Sequence, residues 1–341
     1  MQTILVTGGT GYIGSHTTVE LIENGFNVVI ADNLSNSTID VLDRIEKITG
    51  TKPDFEMIDI CERSKVMALF EKYRIDAIIH FAALKSVNES VELPLEYYHN
   101  NIESLVNLLI AMQKHKNQAF VFSSSCTVYG QPDELPVTEN APIKKATSPY
   151  GYTKQISEEI IQDTISASPS IKAIALRYFN PIGAHKSALI GELPLGVPQN
   201  LVPFVTQTVA GIRERLRVFG NDYNTPDGTA IRDYIHVTDL AKAHVVAVCR
   251  LLENKNKKRY ELFNLGTGNG VSVMEIIKSF EKATGKKINF EIVDRRPGDI
   301  EKVWADTTLA NKELGWKAEI SLDDTLKSAW EWEKKIRNIR N

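Results

Sequence analysis

Two hydrophobic rhythms alternate along the first half of the chain. Short, largely apolar runs occur at Ile4-Leu5-Val6, Asn27-Val28-Val29-Ile30-Ala31, Phe55-Glu56-Met57-Ile58, Ala77-Ile78-Ile79-His80-Phe81 and Ala119-Phe120-Val121-Phe122, and stretches with helical spacing separate them. Runs that are apolar at consecutive positions predict strands covered on both faces, and the helical stretches predict crossovers between them. Together they indicate an α/β fold with a doubly wound parallel sheet. The first unit is the plainest: a strand, a cluster of glycines, then a helix from Tyr12-Ile13 to Ile22 that stops at Gly25, a residue suited to a helix C-cap. Ala173-Ile174-Ala175-Leu176 predicts a sixth strand that closes this layer.

Beyond it the texture changes. Pro181, Pro194, Gly196, Pro198 and Pro203 interrupt the pattern up to Asp233, with one helix expected near Leu201 to Ile212. Asp239 to Leu252 predicts a further helix, and Tyr260 to Leu265 a strand that returns to the first layer. Ser272-Val273-Met274-Glu275 has the form of a capping box, with Val273, Ile276, Ile277 and Phe280 on one helical face. The expected organisation is a first domain over residues 1–180, rejoined by about 235–264, and a smaller α/β substrate domain built from 181–234 and 265–341.

Composition narrows the function classes. Of 341 residues, 43% are hydrophobic and 24% charged, which is enough for a sizeable core and excludes disorder, collagen and coiled coil. Lys and Arg number 40 against 43 Asp and Glu, so the charge of −3 gives no footprint for nucleic acid, and Lys255-Asn256-Lys257-Lys258-Arg259 reads as a solvated loop. The three cysteines, Cys61, Cys126 and Cys249, lack metal or disulfide spacing and fit a reducing, cytoplasmic setting. No leader segment or membrane-spanning run is expected, and the seven histidines have no ligand spacing, so no metal is expected.

Four of the 20 glycines fall in the first 14 residues. Thr7-Gly8-Gly9-Thr10-Gly11-Tyr12-Ile13-Gly14 follows a predicted strand and opens a predicted helix, where backbone N–H groups can approach a pyrophosphate. This is the turn of a Rossmann-type sheet. Asp32 ends the second strand 21 residues after Gly11; its carboxylate suits ribose hydroxyls and repels a 2′-phosphate, and Asn33 beside it brings no cation, so NAD is expected rather than NADP. Asp59-Ile60, after the third strand, is placed for the adenine, although an Asp there also serves as a helix N-cap.

A second constellation lies further along. Ser123-Ser124-Ser125 ends the fifth strand, on the edge where doubly wound sheets bind ligands, and Tyr150 and Lys154 follow at i and i+4 on one helical face. A tyrosine working as a base near neutrality needs its pKa lowered by about three units from ~10, which Lys154 and a cationic nicotinamide would supply. Cys126 reads as packing rather than as a nucleophile, having no histidine partner in sequence.

On these residues, and on His80 to Lys85, Ser123 to Gly130, Ser148 to Lys154, Arg177 to Ala184, Arg232 to Val237 and Arg295 to Asp306, the chain resembles the extended short-chain dehydrogenase/reductase superfamily over nearly its whole length. Within it the similarity is to the UDP-hexose 4-epimerases. The resemblance implies an NAD-dependent interconversion of UDP-glucose and UDP-galactose through a 4-keto sugar. Tyr150 would take the proton of the sugar 4-hydroxyl, Ser125 would hydrogen-bond the reacting oxygen, and Lys154 would hold the nicotinamide ribose. The implied cofactor contacts are Gly8, Gly11, Tyr12, Ile13, Gly14, Asp32, Asn33, Asp59, Ile60, Phe81, Ala82, Ala83, Lys85, Ser123, Tyr150, Lys154 and Tyr178.

For the UDP-sugar, the resemblance implies Arg232 and Arg295 on the diphosphate, Asp299 on the uridine ribose and Phe219 beside the uracil. It also implies contacts from Lys85, Ser125, Tyr150, Phe179, Asn180, Asn200, Leu201, Tyr234 and Val303. Val303 stands where some relatives carry a bulky tyrosine, which predicts a pocket that also admits UDP-N-acetylhexosamines. Related dehydratases place an Asp-Glu pair where this chain has Cys126-Thr127, which leaves no acid and base for eliminating water. A UDP-glucuronate 4-epimerase, another nucleotide-sugar enzyme of this superfamily and an NAD-sensing regulatory module are the competing readings. A homodimer that pairs the Tyr150 helix with its neighbour is expected, with no nucleic-acid or membrane partner.

Overall fold

The computed structural model describes residues 1–296 and 299–339. Its strands are β1 (Thr3–Thr7), β2 (Asn27–Asp32), β3 (Asp54–Met57), β4 (Ala77–His80), β5 (Ala119–Ser125), β6 (Lys172–Tyr178), β7 (Asn180–Ile182), β8 (Leu216–Phe219), β9 (Ile231–Arg232), β10 (Tyr234–His236), β11 (Tyr260–Leu265), β12 (Val271–Ser272), β13 (Phe290–Val293) and β14 (Lys302–Val303). The α-helices are α1 (Tyr12–Glu23), α2 (Val41–Thr49), α3 (Arg63–Lys72), α4 (Val87–Glu92), α5 (Pro94–Tyr98), α6 (Ser104–His115), α7 (Pro149–Ala167), α8 (Leu201–Val209), α9 (Val237–Leu252), α10 (Val273–Thr284) and α11 (Leu322–Ile336).

Seven strands form one parallel sheet in the order β11-β6-β5-β4-β1-β2-β3. Alternate side chains serve opposite faces, as a period of two requires. Ile4 and Val6 join a core under α1, α2 and α9, whereas Leu5 between them joins the core under α3, α6 and α7. One expectation needs correcting: Lys172–Tyr178 does not close the layer, because β11 pairs beyond it along six residues from Tyr260↔Ala173 to Leu265↔Tyr178. Its inner positions Phe263 and Leu265 are buried, so the strand adds a covered edge rather than an exposed one.

The remaining strands make three small sheets, β10-β7, β12-β9-β14 and β13-β8. They share a third core with α8, α10 and α11, centred on Val205, Ile276, Phe280, Leu326 and Trp330. The capping box closes as the sequence predicts, with the Ser272 side chain on the Glu275 N–H and the Glu275 carboxylate on the Ser272 N–H. A fourth, smaller cluster of Val128, Tyr129, Val137, Phe179, Val303 and Ala305 packs the end of β5 against β14. Arg295 to Asp306 carries part of the resemblance; Pro297 and Gly298 within it lie outside the described residues.

Five histidines, His16, His80, His185, His236 and His244, are buried in these layers. Burial lowers the pKa of His16 and His80 to about 3 and of His236 and His244 to about 4, against an ordinary value near 6.5. The unfolded chain therefore takes up their protons first. Their contribution to stability is full above about pH 6.5 and falls as the pH drops toward 4, by about 1.4 kcal/mol per pH unit for each group. Urea unfolding of the ligand-free protein should show its midpoint fall steeply between pH 7 and pH 5; a midpoint that stays put contradicts this.

Candidate active site

The C-terminal ends of the strands open on a cleft of about 690 Å3. Its floor is the glycine turn. Gly8 has φ of +69°, and a Cβ there would meet the Ala82 nitrogen at 2.8 Å; one on Gly14 would meet the Gly8 carbonyl at 2.2 Å. Only glycine lets the turn fold this tightly against β4 and bring the first N–H groups of α1 to the cleft. At the end of β2, Asp32 accepts from the N–H groups of Thr10 (3.2 Å) and Leu34 (2.9 Å) and from the Ser37 hydroxyl (3.3 Å), which fixes the carboxylate toward the cleft.

Of the expected cofactor contacts, Gly8, Gly11, Tyr12, Ile13, Gly14, Asp32, Asn33, Asp59, Ile60, Phe81, Ala82, Ala83, Lys85, Tyr150, Lys154 and Tyr178 all line this space. Ser123 lies beneath it, with its hydroxyl 2.8 Å from the Tyr178 hydroxyl. Asn33 donates to Asp59 at 3.3 Å, joining two adjacent strand ends. The residues present fit a dinucleotide: a side-chain-free cradle for phosphates, a carboxylate for ribose hydroxyls, and apolar walls from Ile13, Ile60 and Phe81.

The proton-transfer residues converge because α7 lies against the end of β5. Ser148 caps α7 by accepting from the Gly151 N–H at 3.1 Å, which sets the first turn and puts Tyr150 and Lys154 on its buried face. Lys154 Nζ donates to the Ser123 carbonyl at 2.9 Å and lies 5.9 Å from the Tyr150 ring centre. One turn on, the buried Glu158 carboxylate accepts from the Ser124 hydroxyl (2.5 Å) and from Arg177 Nε (2.9 Å) and Nη2 (2.5 Å). The three serines thus divide: Ser123 takes Lys154 and Tyr178, Ser124 takes Glu158, and Ser125 stays beside the Tyr150 hydroxyl.

The electrostatics depart from expectation. Burial first, and Tyr178 after it, push the Tyr150 hydroxyl well above the ordinary value of a phenol, while hydrogen bonding from Ser125 pulls it down. Lys154, lowered to about 8 by burial against the attraction of Glu158, is engaged by a carbonyl rather than by the phenol oxygen. A lowered tyrosine pKa is therefore not a property of these side chains alone. It requires further positive charge in the cleft.

A second cluster lies beside the cleft. Arg232 on β9 is in register with Val303 on β14, and Arg232 Nη2 reaches Asp299 Oδ1 at 2.6 Å. Arg296 lies 4.3 Å over the Phe219 ring and 3.9 Å from Asp299. Tyr234 is buried within electrostatic reach of Arg232, Asp299 and Arg296. Phe179 and Val303 pack together in the fourth core, 3% and 4% exposed, and Leu201 packs at the start of α8. Asn180 opens β7 and donates its N–H to the Asp233 carbonyl, and Asn200 donates to Glu192 at 2.6 Å. Cys126, whose thiol burial pushes up to about 12, feels both this cluster through Arg232 and the tyrosine end through Tyr150.

Arg295 does not join them. It turns outward to Asp222 (2.6 Å) and lies 3.9 Å over Tyr223. Its neighbour Arg296, passed over in sequence, faces the cluster instead, because two adjacent arginines after a strand end give no internal sign of which one points inward. Asn36, Asn100 and Glu192 also line the cleft without having been read from sequence. Glu158 was not read from sequence either, although it stands four residues after Lys154 on the same helix.

Comparison with known proteins follows the geometry. The family model described as GDP-mannose 4,6 dehydratase matches residues 5–329. The UDP-glucose 4-epimerase of Yersinia enterocolitica is 52% identical over 340 residues, all of this chain and all of that protein. The crystal structure of UDP-glucose 4-epimerase from Stenotrophomonas maltophila, with bound NAD and formylated UDP-arabinopyranose, superposes with a TM-score of 0.96 at 49% identity, over 100% of both chains. That of Bifidobacterium longum, in complex with NAD+ and UDP, gives 0.94 at 47% identity over 99% of each. No helix among the described residues is long and apolar enough to cross a membrane, and no group of three metal-binding side chains is found among them.

Proposed function

The chain belongs to the UDP-glucose 4-epimerases of the extended short-chain dehydrogenase/reductase superfamily, and from that premise we propose how its residues carry out the reaction. It is an NAD-dependent isomerase that interconverts UDP-glucose and UDP-galactose. NAD, held by the glycine turn, Asp32 and Lys154, would supply reversible hydride acceptance and positive charge. Tyr150 takes the proton of the 4-hydroxyl and returns it, Ser125 hydrogen-bonds the reacting oxygen, and Lys154, tied to the Ser123 carbonyl, holds the nicotinamide ribose and adds its charge. Burial disfavours the phenolate of Tyr150, so added positive charge in the cleft would favour proton abstraction.

Presenting both faces of a hexose to one cofactor calls for a firm grip elsewhere on the substrate. Arg232 and Arg296 stand near Asp299, and Phe219 at the end of β8 lies under the Arg296 guanidinium, a set suited to a diphosphate, a ribose and a flat base. We place the UDP end there, on the unit formed by residues 181–234 and 265–341, with Asn180 and Asn200 toward the sugar. The dehydratase name of the family model does not carry over, since Cys126 and Thr127 replace the acidic pair and neither offers an acid and base for elimination.

Two finer readings belong to the same proposal. Val303 is small and packs beside Phe179, which leaves the acetamido group of UDP-N-acetylhexosamines room that a tyrosine would fill. The surface of α4, α5 and α7 exposes Val91 (62%), Leu95 (78%) and Tyr152 (47%), an apolar face suited to the same face of a second copy in a cytoplasmic homodimer.

The observation that carries the reading is the meeting of Ser125, Tyr150 and Lys154 at the end of a dinucleotide cleft. Tyr150→Phe should retain NAD while epimerisation falls by about 10²–10⁴-fold; wild-type turnover in that variant removes Tyr150 as the base. A product assay with UDP-N-acetylglucosamine should give the galacto epimer, and its complete absence sinks the reading of Val303. Light scattering should give twice the 38.2 kDa chain mass; a monomer at micromolar concentration counts against the apolar face.

A further inference from the structure

One wall of the cleft is not made by the sheet. Residues 184–200, between β7 and α8, run across it as a strap, and Leu189, Gly191, Glu192, Pro194 and Val197 border the cavity from that side. The strap has little regular structure: a bridge between Ala184 and Gly191, the His185 N–H to Ile190 carbonyl bond and a tight turn in which the Ala188 N–H donates to the His185 carbonyl. Leu195 and Val197 are each 56% exposed. Its position is therefore set by contacts from outside.

At its ends the strap is held by the Ser328 hydroxyl on the Ala184 N–H and by Arg213 on the Gly196 carbonyl, and its middle is held at Trp332. This residue of α11 is 5% exposed and itself lines the cleft. Its indole N–H donates to the Glu192 carbonyl at 2.9 Å, across 140 residues of sequence. Its ring lies so close to Gly191 that a Cβ there would stand 2.5 Å from the ring, so the strap lies flat on the indole. Arg44 of α2 lies 5.4 Å from the centre of the same indole and reaches the Leu189 carbonyl at 3.4 Å. One ring thus ties the strap to the helix that follows the ribose-binding loop.

The side chain of Glu192 faces the ligand space. Glu192 accepts from Asn200 at 2.6 Å and lies 3.7 Å from Lys85, while its second carboxylate oxygen is buried without a partner among the described residues. A buried acceptor lacking a donor is costly unless something in the cleft supplies one. Hydroxyl groups of a bound dinucleotide are of that chemistry.

We infer that the strap closes the cofactor cleft and that Trp332 is its latch, a positioning residue that sets how long NAD stays bound. The inference rests on the cleft being the NAD site. Opening requires the indole N–H bond to break and the strap to lift from the ring; the reacting groups at Tyr150 are not touched.

The test follows exchange of bound NAD for isotopically labelled NAD in the full-length holoenzyme. Trp332→Phe keeps an aromatic ring and removes the donor, so exchange should quicken about 2–10-fold; Trp332→Ala removes both and should quicken it further. Trp330→Phe, on the same helix but packed into the third core against Phe280, should leave exchange unchanged. A folded Trp332→Phe protein that exchanges at the wild-type rate overturns the latch, as does equal acceleration in Trp330→Phe. Wild-type protein that binds no NAD overturns the cofactor reading itself, and the latch with it.

Discussion

The site depends on how the last three residues of β5 meet α7. Ser123, Ser124 and Ser125 project alternately, and each finds a different partner because the helix presents Tyr150, Lys154 and Glu158 at intervals of four. The fixed point is the buried pair of Glu158 and Arg177, 3% and 2% exposed, with Ser124 as third member. Arg177 lies on β6 in register with Ser124, so the pair locks helix, central strand and neighbouring strand together. Buried ion pairs add little net stability over apolar packing, but losing one partner costs about 3–5 kcal/mol. That asymmetry makes the pair an efficient alignment device: a shift of α7 along the sheet would leave two charges uncompensated.

From this alignment the division of labour follows. The cofactor end is built from one contiguous βαβ unit and neighbouring strand ends, where geometry is rigid and local. In the proposed reading the nucleotide end is assembled from β8, β9 and β14, short strands outside the seven-stranded sheet, near Asp233, which accepts from the N–H groups of Thr267, Gly268 and Ala305. Between them lies only the small core around Phe179 and Val303, with Cys126 at its border. A hexose positioned there is held chiefly through its nucleotide, which is what a sugar that must present both faces requires.

Much of this was legible from residues close in sequence. The glycine turn, Asp32, the serine run and the Tyr150/Lys154 pair are local signatures whose meaning comes from strand ends, and strand ends announce themselves by their apolar runs. Three things were not. The outer strand β11 pairs with β6 across some 87 positions, and nothing in Tyr260–Leu265 marks which edge it joins. The inward arginine of the Arg295-Arg296 pair is decided by Asp222 and Phe219, both remote in sequence. The raised proton affinity of Tyr150 in the ligand-free cleft was the third, because burial is a tertiary property and Lys154 is committed to a carbonyl.

The account stands or falls on the C4 hydrogen leaving the sugar as a hydride and coming back inside a closed site. The direct measurement is epimerisation of UDP-glucose carrying deuterium at C4, in ordinary water, with the product read by mass spectrometry and proton resonance. Retention of the deuterium at C4 of the UDP-galactose formed is the predicted result. Its replacement by hydrogen from solvent would show removal as a proton instead, and would contradict the roles given to the cofactor cleft and to Tyr150 together.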